Sequence, residues 1–99
     1  MTRARRKLPR GWKEGGVREF LDLSAEDMAI IEIKARLARE VRKRRKAKRL
    51  SQASLAERVS TTQSRIARIE AAEASIEMLI RSLLALGESR SRIARLLAA

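Results

Sequence analysis

The sequence predicts an all-α protein built on one small core, and three observations carry that reading. Apolar residues make up 44% of the 99 residues, yet only Trp12 and Phe20 are aromatic. The core must therefore come from Leu, Ile, Ala, Val and Met, a set that suits helices better than strands. From Ala25 onward the apolar residues recur at three- and four-residue steps, the period of a helix with one buried face. Each such segment is preceded by a hydroxyl residue, Ser24, Ser51, Thr62, Ser75 or Ser89, of the kind that caps a helix start.

The elements follow in order. Residues 1–11 hold Arg3, Arg5, Arg6, Lys7 and Arg10 with no acid and end in Pro9-Arg10-Gly11, so they read as a disordered basic arm. Residues 12–23 place Val17, Phe20, Leu21 and Leu23 after Gly15-Gly16, as in a short segment docking on a core. Residues 24–99 form the domain proper. Ser24, with Asp27 three residues on, opens a long helix that reaches about Lys48 and buries Ile30, Ile33, Leu37 and Val41.

Leu50-Ser51 interrupts that helix, and a second one begins at Gln52 with Leu55, Ala56 and Val59 on its apolar stripe. Ser60-Thr61-Thr62 makes a turn into a third helix, Gln63 to about Ala71, that buries Ile66 and Ile69. A fourth, capped by Ser75, carries Ile76, Leu79, Ile80, Leu83 and Leu84 and ends at Gly87 in a left-handed cap. The last segment, from Ser89 through Ile93, Leu96 and Leu97, is most simply a short helix, with a strand as the alternative.

Composition excludes several functions. With no Cys and no His, thiol chemistry, imidazole bases and the common nitrogen and sulfur metal ligands are all missing. Only carboxylates remain, mostly single among basic residues, so neither an enzyme nor a bound metal or cofactor is expected. The absence of Cys fits a reducing cytoplasm. The basic start is followed by Pro9, Arg10, Gly11 and Lys13 where a signal peptide needs an apolar run, and no stretch has the length of a membrane span.

Charge points the other way, toward a polyanion. The net charge is +12. Between Gly11 and Ile33 acids prevail, with Glu14, Glu19, Asp22, Glu26, Asp27 and Glu32 against Lys13 and Arg18. From Lys34 to Arg49 Glu40 is the single acid among ten cations, Lys34, Arg36, Arg39, Arg42, Lys43, Arg44, Arg45, Lys46, Lys48 and Arg49. Such a field attracts nucleic acid first and an anionic membrane second; a merely solvated basic helix is the plainer reading. RNA readers present aromatic stacking platforms that this chain lacks, and a membrane-surface helix needs the apolar stripe that the core uses.

Two short helices joined by a three-residue turn have the spacing of a helix-turn-helix, with Ala56 small where the helices cross. The third helix then turns Gln63, Ser64, Arg65 and Arg68 outward. Gln pairs with adenine and Arg with guanine in the major groove, each good bidentate pair giving about 1–3 kcal/mol of discrimination. An ordinary helical hairpin with a polar face is the alternative.

Residues 51–70, Ser-Gln-Ala-Ser-Leu-Ala-Glu-Arg-Val-Ser-Thr-Thr-Gln-Ser-Arg-Ile-Ala-Arg-Ile-Glu, closely resemble the helix-turn-helix of the phage Cro and cI repressor family, also called XRE-like. The span from Trp12 to Leu97 is similar to its small bacterial members, many of them antitoxins of the host-inhibition-of-growth type. The resemblance implies a compact five-helix, λ-repressor-like domain with an N-terminal extension. It implies that Gln52 and Thr62 hold phosphates, that Gln63, Ser64 and Arg68 face bases, and that Arg65 reaches a base or the backbone. It also implies a buried ion pair between Arg45 and Glu70. Two departures stand out: the family usually has Gly where this chain has Ser60 and Ala72.

One such domain reads few base pairs, so the expected partner is double-stranded operator DNA bound by a homodimer, with recognition helices about 34 Å apart. Ile93, Leu96 and Leu97 are the expected dimer interface, because a short terminal segment lacks the neighbours to hide them within one protomer, with packing back onto the fourth helix as the alternative; Lys43, Arg44, Lys46 and Lys48 are the further phosphate contacts. The function this implies is a cytoplasmic, nucleoid-associated, autoregulatory repressor. The alternatives are an antitoxin, whose acidic Glu14 to Glu32 segment would meet a basic toxin, and a non-specific basic binder of nucleic acid or membrane.

Overall fold

A computed structural model describes residues 23–99; the expected basic arm, and all of the docking segment except Leu23, lie outside the described residues. The chain divides into two units, Met1–Ile30 and Ile31–Ala99. The described residues contain five helices and no strand: α1 (Ala25–Ala47), α2 (Gln52–Arg58), α3 (Gln63–Glu70), α4 (Ile76–Ala85) and α5 (Arg90–Ala98). The last segment is thus a helix. No helix among the described residues is long and apolar enough to cross a membrane.

Every helix starts on a hydroxyl cap. Ser24 Oγ accepts from the Asp27 N–H at 3.0 Å while Asp27 Oδ2 accepts from the Ser24 N–H at 3.3 Å, a reciprocal capping box. Ser51, Thr62, Ser75 and Ser89 likewise accept from the N–H three residues on, at 3.0 to 3.2 Å.

The first four helices also end alike. Leu50, Thr61, Glu73 and Glu88 donate back to the carbonyls of Arg45, Ala56, Arg68 and Leu83, and the residue before each donor has a positive φ. This is the Schellman closure, which favours Gly at the left-handed position. Only Gly87, at φ 86°, meets that preference; Arg49 (58°), Ser60 (55°) and Ala72 (64°) do not. Ser60 and Ala72, the two positions where the resembling family usually has Gly, do adopt the left-handed conformation that strains a side chain, and Arg49 is a third such position.

The core gathers Leu37 and Val41 of α1, Leu55 and Ala56 of α2, Ile66 and Ile69 of α3, Leu79 and Leu83 of α4, Leu86, and Ile93 and Leu96 of α5. On α1 the buried stripe runs from Ile33, partly buried, through Leu37, Ala38 and Val41 to Arg45. Ile30, expected on that stripe, is 45% exposed, and Leu84 of α4 is exposed as well. α1 has 23 residues, and its buried ones, Leu37, Ala38, Glu40, Val41 and Arg45, all lie in its C-terminal half.

Candidate nucleic-acid interface

α2 and α3 pack directly on each other across the Val59–Thr62 turn. Ile66 and Ile69 are fully buried, which fixes the rotation of α3 about its axis. At about 100° per residue, Ser64, Ala67 and Arg68 then stand farthest from the core, with Gln63 and Arg65 on the two flanks. All five side chains are exposed. The four expected base readers therefore share one outward surface, and Ala67, which the sequence reading passed over, sits among them. The helical period marks Ala67 as outward; being small and apolar, it has the form that meets a thymine methyl.

The two ends of α3 are held differently. At its start Thr62 is exposed, with Oγ1 3.3 Å from Ser64 Oγ, so the expected phosphate contact and an expected base reader touch. At its end Glu70 accepts from Arg45 twice, from Nε at 2.6 Å and from Nη2 at 3.1 Å. Arg45 Nη1 also donates to the Leu50 carbonyl at 2.8 Å, and the pairing with Glu70 raises the guanidinium pKa despite its burial. The ion pair implied by the resemblance is present and buried.

Gln52 joins that network, because its Nε2 donates to Glu70 Oε1 at 3.2 Å. A side-chain amide nitrogen has two hydrogens, so one remains for a phosphate while the first fixes the side chain at the start of α2. No feature of the sequence pattern announced this link between Gln52 and Glu70.

Other cations divide into separate groups. Arg65 and Arg68 line a cleft of about 260 Å³ with Glu73, Ala74, Ser75 and Met78, where α3 meets the start of α4. Arg44 and Lys48 instead turn to the α4–α5 junction: Arg44 Nε lies 3.6 Å from Glu88 Oε2, and Lys48 Nζ stands beside Gly87. Lys43 and Lys46 line a groove on the outer side of α1. The four expected phosphate contacts of α1 thus do not form one surface. Of the expected dimer residues, Ile93 and Leu96 belong to the protomer's own core and Leu97 is exposed. The reason is local: α5 packs on α4, which supplies the neighbours that a terminal segment was expected to lack.

A family profile described as a helix-turn-helix domain matches residues 20–91, which takes in α1 through the first residues of α5. No curated protein and no solved structure matches the chain. With most of its length matched, and with α2, the turn and α3 presenting an exposed polar helix over a closed core, the chain belongs to the helix-turn-helix domain family, whose members are DNA-binding regulators.

Proposed function

We propose that this protein is a sequence-specific transcriptional regulator of the Cro/cI type that binds operator DNA as a homodimer and represses its own promoter. It acts by binding rather than by catalysis. The observation that carries the reading is the division of α3 into a fully buried apolar row and an exposed row of Ser64, Ala67 and Arg68 flanked by Gln63 and Arg65. In the major groove those side chains meet base edges, while Gln52 and Thr62 hold phosphates on either side of the turn. The remaining α1 cations add to the long-range field that draws the duplex in.

Binding to the DNA upstream of the protein's own gene, against a scrambled duplex at several salt concentrations, tests this. Arg68→Ala is expected to remove about tenfold or more of the preference for the specific site, the equivalent of one bidentate base contact, with little change on scrambled DNA. Equal loss on both duplexes would overturn the base-reading role. Repression of a reporter behind the same DNA tests the regulatory sign.

For the dimer, Leu97 is the informative residue, since Ile93 and Leu96 hold up the protomer itself. Leu97→Asp is expected to halve the solution mass at micromolar concentration. The antitoxin role rests on the family resemblance, and co-expression with a neighbouring small reading frame tests it: growth inhibition relieved by this protein supports it, and no inhibition removes it.

A further inference from the structure

A groove of about 430 Å³ lies between the outer side of α1 and the end of α5. Five cations, Arg36, Arg39, Arg42, Lys43 and Lys46, surround it, and Leu96 and Glu40 contribute to its floor. Arg39, Arg42, Lys43 and Lys46 are exposed and recur at three- and four-residue steps, so they form one row along α1. Two contacts fix the wall opposite that row. Arg36 Nη1 donates to the Leu96 carbonyl at 3.0 Å, and Arg92 Nη2 donates to Glu40 Oε1 at 3.4 Å.

This row does not face the side of α1 that touches α3. Arg45 points to Glu70 at the end of α3, and at about 100° per residue Arg39, Lys43 and Lys46 stand roughly 100° to 160° away from it around α1, with Arg42 nearer, at about 60°. A ligand on this row leaves the outward surface of α3 free. Among the described residues no carboxylate pairs with a cation of this row, unlike Arg44, Arg45, Arg81 and Arg92.

We propose that this groove docks an acidic segment of a partner protein, one with carboxylates spaced along a helix or strand and an apolar side chain between them. Charge complementarity requires an anion. The floor decides which kind: Leu96 and the aliphatic stems of the lysines and arginines offer an apolar surface that a phosphate backbone does not use, whereas a Leu or Ile between Glu residues does. The partner would then be carried by a DNA-bound regulator on a surface separate from its base-reading helix. The groove assignment itself does not depend on the operator reading.

The test compares two triple charge reversals of the full chain, each checked for helical content by circular dichroism. One is Arg39→Glu, Lys43→Glu and Lys46→Glu in the groove. The other is Arg58→Glu, Arg81→Glu and Arg90→Glu, exposed and outside it, with the same change in net charge. The probes are a short fluorescein-labelled peptide of Glu and Leu, the same peptide with Ser for Leu, and a scrambled duplex, read by anisotropy. The groove triple is expected to lose about tenfold or more in affinity for the Glu/Leu peptide, and the control triple under about threefold, while both weaken the duplex to a similar degree. The Glu/Ser peptide is expected to bind more weakly than the Glu/Leu peptide.

Equal loss of peptide by both triples, or equal binding of the two peptides, would overturn the proposal, since either means a diffuse field. A groove triple that loses duplex far more than peptide would reassign the row to nucleic acid. Arg68→Ala separates this from the operator reading, because it is expected to change DNA preference and leave peptide affinity alone.

Discussion

Arg44 and Arg45 are consecutive residues at the end of α1, and they tie it to different parts of the domain in different ways. Arg45 makes a bidentate pair with Glu70 and a third bond to the Leu50 carbonyl, so that α1, the start of α2 and the end of α3 share one buried carboxylate. Arg44 faces Glu88 at the α4–α5 junction at 3.6 Å, and neither Arg44 Nε nor Glu88 Oε2 has a hydrogen-bond partner. Both acids are nearly buried, at 6% and 8% side-chain exposure. The difference lies in hydrogen bonding, and it shows which junction the sequence specifies tightly: the one that holds the end of α3.

That comparison breaks first at Glu70. Its removal leaves Arg45 charged, largely buried and missing two bonds, and it frees Gln52. Glu70→Ala is expected to lower unfolding free energy by about 3–5 kcal/mol in urea denaturation followed by circular dichroism. The double variant Arg45→Ala with Glu70→Ala is expected to cost less than the sum of the two singles, because no charge is then stranded. A loss under about 1 kcal/mol for Glu70→Ala would mean that the pair is no stronger than a surface contact.

How much of this was readable beforehand depended on range along the chain. The helix starts were legible because a cap is a local event: one hydroxyl and an N–H three residues away. The rotation of α3, and with it Gln63, Ser64, Arg65 and Arg68 as outward residues, followed from Ile66 and Ile69 by helical period. The Arg45–Glu70 pair came from resemblance, since nothing in the spacing of two residues 25 apart requires contact. Beside Arg49, Ala67 and the Gln52–Glu70 bond, three features were not legible for reasons of range. Ile30 fits the α1 stripe yet is exposed, because periodicity tells which face is apolar and not which residues along it are covered. Leu96, expected at an interface, is buried in the protomer's own core, and its carbonyl accepts from Arg36 of α1. The separation of Lys43 and Lys46 from Arg44 and Lys48 is a matter of which elements flank α1, which a charge run alone does not encode.

The helix-ending turns sharpen the same contrast between well and poorly specified sites. Ser60 closes α2 at φ 55°, within the turn that sets α3, and it is exposed. Relief of the left-handed strain is worth about 1–2 kcal/mol, and the added freedom of Gly in the unfolded chain takes back roughly 0.4–1. Ser60→Gly is therefore expected to raise stability by about 0.5–1 kcal/mol with the specific-to-scrambled DNA ratio unchanged. Destabilisation would show that the turn draws on the serine in a way that φ does not reveal.

Glu88→Ala is expected to cost less than Glu70→Ala by a wide margin, about 1 kcal/mol, because Arg44 is 36% exposed and can turn its guanidinium to water. Arg44→Gln, which leaves the buried Glu88 carboxylate without its cation, is expected to cost more than Glu88→Ala. The reverse order in the same denaturation series would mean that Arg44 depends on Glu88 rather than the other way round.

The smallest effect belongs to the pair with good geometry and no burial. Arg81 Nη2 donates to Glu77 Oε2 at 2.9 Å one turn apart on α4, with side chains 58% and 79% exposed. Its hydrogen bond is far shorter than the Arg44–Glu88 approach, so distance alone ranks it above that contact. Water screens both charges and must be displaced from neither, which holds an i,i+4 pair to about 0.3–0.5 kcal/mol. Arg81→Ala is expected to fall within that range and to lose most of its effect in molar salt, whereas the cost of Glu70→Ala persists there because the buried pair is poorly screened. A salt-insensitive loss at Arg81 would mean that its aliphatic stem packs on α4, so that the contrast among the three arginines would rest on apolar contact as well as on hydrogen bonding.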